Sequence, residues 1–265
     1  MRKHVILTNG RSGSNHLVQV LNQHPRVTNY GEVLGEYTLP RRLHDVFGYG
    51  GRTPEDYLDH MLSSRSNFYL AHAYDAVRRV ASWRSPRPKR WSNVETLGVK
   101  ELAIRLSRAG LSTFLAERDE IAVIHLERRN CLRRLISVMA VESDGAVAVT
   151  SARGSETRRR LNIDVQLVRD RLPVIERERV DEEEMADTLP PERVLRLVYE
   201  EMFASSVSLQ RGYRAMFEFL AVDPIDVQGT HRKVLSPELS DTVVNYPELA
   251  AALRRGPWGH YLDEP

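Results

Sequence analysis

Six residues near the amino terminus, Arg11-Ser12-Gly13-Ser14-Asn15-His16, place a fixed cation, two hydroxyls and a glycine in one short loop. Small residues between a strand and a helix let backbone N–H groups converge on an anion, and the helix N-terminus adds a partial positive charge. Arg11 supplies a planar fork of donors that matches phosphate oxygens. The same letters also describe an ordinary turn in which Ser14 is an N-cap and Arg11 a surface charge. The loop does not satisfy G-x-x-x-x-G-K-[ST], because no lysine follows Gly13. A later apolar run ends Leu126-Glu127-Arg128-Arg129, without the aspartate that holds magnesium in nucleoside triphosphatases. A P-loop-type nucleotide-binding kinase is therefore the weaker phosphate-binding reading.

The elements that must carry this loop are legible as periodic runs. His4-Val5-Ile6-Leu7-Thr8 predicts a buried strand that stops at Asn9-Gly10, and Leu17, Val18, Val20 and Leu21 predict a helix from Ser14 to about Gln23-His24. Strands are also predicted at 121–126 and 194–199, with shorter candidates at Phe68–Ala71 and Leu97–Lys100. A helix follows 121–126 through Leu132, Leu135, Ile136 and Met139. Residues 164–187 predict a charged helix with internal ion pairs, and 205–221 an amphipathic one with Tyr213, Met216, Phe217 and Leu220 inward. Strands separated by helices imply an α/β fold with a parallel sheet. No repeat or low-complexity linker interrupts it, so one domain over residues 1–265 is expected.

Composition narrows the class. The chain has 265 residues, 42% hydrophobic and 28% charged, the balance of a globular protein. A formal charge of +2 argues against nucleic acid as a partner, while a pI near 8.7 leaves room for a local basic pocket. Cys131 is the only cysteine, which excludes an internal disulfide and a multi-thiolate metal site. Val5-Ile6-Leu7 is too short for a signal or a membrane span, and no later stretch is long and apolar enough. A cytoplasmic protein without a membrane span is expected, with peripheral membrane contact and oligomeric state left open.

The loop, followed by Leu17, then Leu21-Asn22-Gln23-His24-Pro25 and Asn29-Tyr30-Gly31-Glu32, resembles the bacterial carbohydrate-type sulfotransferases, among them the nodulation-factor sulfotransferases. It is similar, more distantly, to animal sugar sulfotransferases with R-S-G-S-S loops and an N-x-H-P segment. Arg129 and Ser137, eight positions apart after the strand at 121–126, resemble the family's pair for the 3′-phosphate of its donor. Leu97-Gly98-Val99-Lys100 resembles its G-F-K-E, and Tyr199-Glu200-Glu201 its Y-E-x-L element, read as structural. A softer likeness lies at 230–236 and 244–249, the segment that closes over adenosine diphosphate in bacterial members. The matches run from residue 4 to residue 258, with 33–95 and 145–190 matching nothing recognised.

The resemblance implies a P-loop-like three-layer fold, a central parallel sheet flanked by helices. The donor implied is 3′-phosphoadenosine-5′-phosphosulfate (PAPS), with Arg11, Ser12, Gly13, Ser14, Asn15 and His16 around the 5′-phosphosulfate. Arg129 and Ser137 would take the 3′-phosphate, and Arg232 or Lys233 would add a contact unless they belong to a solvated loop. In-line transfer of a planar SO₃-like group relies on positioning and electrostatics. Cations can replace magnesium there, so no metal is expected, and Arg11 would stabilise the leaving phosphate. Glu32 is the first choice for the base because it matches the family's G-E, with His16 and Glu36 as rivals. Lys100 would assist the sulfate. The acceptor implied is a hydroxyl on a carbohydrate, a glycolipid or a related small molecule. Trp83, Trp91, Tyr69, Tyr74 and the basic 87–90 run are candidates to meet it, although core aromatics and a solvated loop explain them equally. A non-catalytic PAPS-binding relative would carry the same residues.

Overall fold

Val5, Ile6 and Leu7 are all within 1% of complete burial, which only a strand covered on both faces allows. In the computed structural model they lie in β1 (Arg2–Thr8). The structure describes residues 1–81, 83, 88–142, 160–227 and 238–264, without the side chains of residues 78 and 79. Four more strands follow: β2 (Val27–Asn29), β3 (Thr96–Leu102), β4 (Ile121–Glu127) and β5 (Val194–Val198). They form one parallel sheet in the order β2-β3-β1-β4-β5. Val5 lies opposite both Val99 and Val123, so β1 is central.

The helices are α1 (Ser14–Leu21), α2 (Leu39–Phe47), α3 (Pro54–Ser63), α4 (Arg65–Ala81), α5 (Ala103–Arg108), α6 (Cys131–Glu142), α7 (Val165–Asp187), α8 (Tyr199–Met202), α9 (Ser206–Phe219), α10 (Leu239–Thr242) and α11 (Tyr246–Arg254). Alternation along the strands splits the core. Val5, Leu7, Val99 and Val123 pack on Tyr57, Leu58, Met61, Leu106 and Met185 from α3, α5 and α7. Ile6, Ile124 and Leu126 face the other way, onto Leu17, Val20, Met216 and Phe217 of α1 and α9. The result is the expected three-layer α/β fold with a central parallel sheet.

Helix α7 carries the expected internal pairs, Arg177 with Asp181 and Arg179 with Glu183. One expectation is overturned: Phe68–Ala71 is not a strand but part of α4. Phe68 is buried, and its carbonyl accepts from the His72 side chain one turn on, while Tyr69 and Leu70 are exposed. Four apolar letters do not separate a short strand from a helix whose outer face is also apolar.

Because the chain leaves β1 for one side of the sheet and later returns to pair β4 on the other, the carboxyl ends of β1, β3 and β4 open a crevice where parallel sheets bind ligands.

Candidate active site

Strand β1 is tied at its end by Thr8 Oγ1, which donates to the Leu126 carbonyl at 2.8 Å. The chain then turns through Arg11 at φ 68° and Gly13 at φ 81° before α1 starts at Ser14. A left-handed arginine is strained backbone of the kind that concentrates at ligand sites. At Gly13 the strain is avoided, and a Cβ there would lie 3.0 Å from Tyr199 and 3.3 Å from Phe203. No side chain caps α1 and its first turn holds no acid. The carbonyls of Gly10 and Arg11 are claimed from behind, by Arg134 Nε at 3.0 Å and Arg128 Nη1 at 2.7 Å. Two buried donor groups at this turn, Ser12 Oγ and Arg128 Nε, find no partner among the described residues. Orphaned donors carry a desolvation cost, and a hydroxyl and a guanidinium N–H left open at a loop of this shape suit an anionic guest.

Two guanidiniums meet at the loop without a carboxylate in ion-pair range among the described residues. Arg11 Nε donates to Ser137 Oγ at 3.0 Å. Arg128 lies 4.5 Å over the Tyr199 ring. Burial pulls both below the ordinary arginine range, and for Arg128 the neighbouring Arg11 charge adds to the effect. Arg134 differs: it is buried against Glu178 and structural. Arg129 differs again, facing outward with Glu127 and Glu201, while its backbone N–H donates to Glu200. The pair expected from spacing, Arg129 with Ser137, is therefore not brought together; Ser137 meets Arg11.

Beyond the loop, residues 30–34 are laid along the end of β3. Tyr30 N–H donates to the Gly98 carbonyl and Lys100 N–H to that of Gly31, both at 2.9 Å. Glu101 Oε1 accepts from the N–H groups of Val33 and Leu34 at 2.6 and 2.8 Å. This holds Glu32 over the Lys100 side chain. The buried Lys100 ammonium donates to Asn15 Oδ1 at 3.0 Å and to Glu32 Oε1. Arg105 and the Tyr37 hydroxyl both donate to Glu32 Oε2. Burial alone would raise the Glu32 pKa, but the Lys100 charge and hydrogen bonds from Lys100, Tyr37 and Arg105 overcome it and hold the carboxyl at about 2. The two sides of the pair pull in opposite senses, since burial loosens the Lys100 proton. The pairing stands because Arg105 also faces Glu32 and keeps its proton at any ordinary pH.

His16 lies elsewhere. Its imidazole is buried, with Nε2 on the Tyr213 hydroxyl and the ring edge-on to Phe203, while its backbone N–H closes the first turn of α1 onto Gly13. Glu36 is exposed. Arg232 and Lys233 lie outside the described residues. Trp83, Tyr69 and Tyr74 are exposed on and beyond α4, and Trp91 packs edge-on against Phe68. Lys89 is not a solvated charge, because it donates to the carbonyls of Asn22, His24 and Val27. An open cleft of about 680 Å³ between Asn22–Arg26 and Pro88–Glu95 holds none of the residues grouped around the loop.

Sequence reasoning missed Arg105, Tyr37 and Arg128 as site residues. The one signal available for Arg105 is a cation three residues past the end of β3 at Leu102. Among the described residues, no group of three or more histidine, cysteine or acidic side chains is placed to hold a metal. None of their helices is long and apolar enough to cross a membrane.

No family model matches the chain, and no curated protein matches it. Among solved structures it is similar to a sulfotransferase from Alicyclobacillus acidocaldarius, at 15% identity and a TM-score of 0.47, over 100% of this chain and 97% of that one. It is similar also to the sulfotransferase domain of the Synechococcus PCC 7002 olefin synthase, at 15% identity and a TM-score of 0.42, over 89% and 81% of the two chains. A sulfotransferase domain from the curacin biosynthetic pathway aligns at 14% identity and a TM-score of 0.42, over 90% and 80%. All three are sulfotransferases.

Proposed function

We propose that this protein is a sulfotransferase that moves a sulfuryl group from PAPS to the hydroxyl of a carbohydrate, glycolipid or related small acceptor. The observation that carries the reading is the convergence of Arg11 and Arg128, both without a described carboxylate in ion-pair range, on a loop where Ser12 Oγ and Arg128 Nε are donors with no partner among the described residues. Partly buried cations without a counter-charge are costly, and an anionic ligand offsets them. In this reading the loop from Arg11 to His16 takes the 5′-phosphosulfate through backbone N–H groups and the Ser12 and Ser14 hydroxyls. Arg11 faces the bridging oxygen, where charge develops as the sulfur–oxygen bond breaks. Ser137, already bonded to Arg11, and Arg129, once released from Glu127 and Glu201, take the 3′-phosphate. Arg232 and Lys233 are kept as further contacts.

Lys100 gives the arrangement its direction. Its ammonium joins the loop at Asn15 to the carboxylate at Glu32. A sulfuryl group seated on the loop competes for that ammonium, and as Lys100 turns to the transferring oxygens Glu32 is released to accept the acceptor's proton. His16, turned onto Tyr213, is left a structural part of the loop. Cations cover the charge that magnesium would, so no metal is required.

Thermal stabilisation tests the reading. Adenosine 3′,5′-diphosphate should raise the melting temperature at concentrations where ATP with magnesium does not. Equal stabilisation by ATP would favour a kinase, and no response to the diphosphate would remove the donor assignment.

A further inference from the structure

One oxygen of the Glu32 carboxylate is covered by the protein's own Tyr37 hydroxyl. Tyr37 lies in the turn that precedes α2, closed by the Thr38 N–H on the Gly35 carbonyl at 2.8 Å. Tyr37 as a residue is 61% exposed. Its hydroxyl nevertheless reaches inward to Glu32 Oε2, with Arg105 Nη1 at 3.4 Å and the Arg105 guanidinium 5.3 Å from the ring centre. Gly35 makes the room, since a Cβ there would lie 2.9 Å from the Tyr37 ring and 3.1 Å from Arg105. Nearby Tyr57 shows the contrast: it is fully buried, and its hydroxyl donates to the Val33 carbonyl as a core tyrosine does.

An exposed phenol whose hydroxyl donates to the carboxylate is the hydrogen bond an acceptor alcohol must make before transfer. We propose that the acceptor hydroxyl takes the place of the Tyr37 hydroxyl on Glu32 Oε2, and that Tyr37 is an internal stand-in displaced outward as the acceptor enters. The inference rests on the sulfotransferase reading and adds the acceptor's seat and class. Lys100 on one side of Glu32 and Arg105 on the other make that seat cationic. It accepts a flat or ring-shaped alcohol or phenol that is uncharged or anionic and repels one carrying a nearby ammonium.

Removing the stand-in should hand its seat to a free phenol. Tyr37→Ala is given PAPS and p-cresol, the detached equivalent of the tyrosine side chain. The donor's sulfur–oxygen bond to phosphate breaks as the sulfur–oxygen bond to the phenol forms. The phenolic proton passes to Glu32, and adenosine 3′,5′-diphosphate leaves. p-Cresyl sulfate should form about tenfold faster than with the wild type, whose tethered phenol competes for the same carboxylate. Tyramine, a cationic phenol, should be the poorer acceptor. Tyr37→Phe keeps the ring but empties the hydrogen bond, and should raise the acceptor-independent hydrolysis of PAPS. Wild-type rates in both variants, with stabilisation by adenosine 3′,5′-diphosphate retained, would overturn this proposal and leave the sulfotransferase reading standing. Absence of that stabilisation in the wild type would overturn both.

Discussion

The Lys100 ammonium donates to Asn15 on the anion loop and to the Glu32 carboxylate, joining two segments of the chain across the end of β3. Lysine is 2% exposed there, so the bond is a buried tie rather than a surface contact. Lys100→Met should cost about 3 kcal/mol, the range for removing one partner of a buried pair, read from urea unfolding. Glu32→Gln should leave the affinity for adenosine 3′,5′-diphosphate unchanged and abolish transfer. Wild-type kcat in that variant would place the base elsewhere.

Arg128 and Arg129 are adjacent in sequence and opposite in setting, so the pair separates donor binding from surface charge. Arg128→Met replaces a half-buried cation, with no carboxylate in ion-pair range among the described residues, by an apolar side chain of similar length. Stability should change by less than about 1 kcal/mol, while affinity for adenosine 3′,5′-diphosphate falls roughly 10- to 100-fold, the range for a charged hydrogen bond. Arg129→Ala breaks only exposed pairs, and its stability change should also stay under about 1 kcal/mol. Its diphosphate affinity, measured by calorimetry, decides whether Arg129 turns to the 3′-phosphate. An unchanged value would leave that task to Arg11, Ser137 and Arg128.

Gly13 stands where the backbone is left-handed and two aromatic rings close in. Gly13→Ala should destabilise the protein by about 1–2 kcal/mol through φ strain and crowding of Tyr199. Diphosphate affinity should fall with it, because the same turn aims the N–H groups. A variant as stable as the wild type would show that the loop relaxes and is not held in this shape.

These tests mark how far the sequence could be read. The loop and strands β1 and β4 were legible because buried parallel strands are continuous apolar runs and the loop's small residues follow one of them directly, and β5, a half-buried edge strand, because Val194, Leu195, Leu197 and Val198 flank one exposed Arg196. Glu32 and Lys100 were legible only one at a time, through the segments that carry them. That they touch depends on β2 pairing with β3, and 68 residues separate them. Arg105 and Tyr37 reach the same carboxylate from α5 and from the turn before α2, contacts for which periodicity has no signal. The starts of α2 and α3 could have been found: Thr38 and Thr53 accept from the third residue on, and each helix has proline in its first positions. The family resemblance points to Arg129, and position in sequence says nothing about which of two neighbouring arginines turns toward the loop; here it is Arg128.

Glu101 gives the last prediction, and its sign is opposite to that of Glu32. Glu101 is fully buried; one oxygen takes the Val33 and Leu34 N–H groups, and the other has no partner among the described residues. Burial raises its pKa to about 7, the two N–H groups oppose the rise, Glu32 adds to it and Arg105 offsets it. An acid whose folded pKa lies above its unfolded value stabilises the fold fully below the unfolded value and loses that contribution as pH rises through the folded one. Stability should therefore decline between about pH 4.5 and pH 7 on this account, by roughly 3 kcal/mol at 1.36 kcal/mol per pH unit. Glu32, held at about 2, works in the other direction: its contribution is present above about pH 4.5 and is lost as pH falls towards 2. Glu101→Gln mimics the protonated acid. It should match the wild type at pH 4.5 and exceed it at pH 8 in urea unfolding. Parallel curves for the two proteins across that range would mean that Glu101 is not the group that titrates.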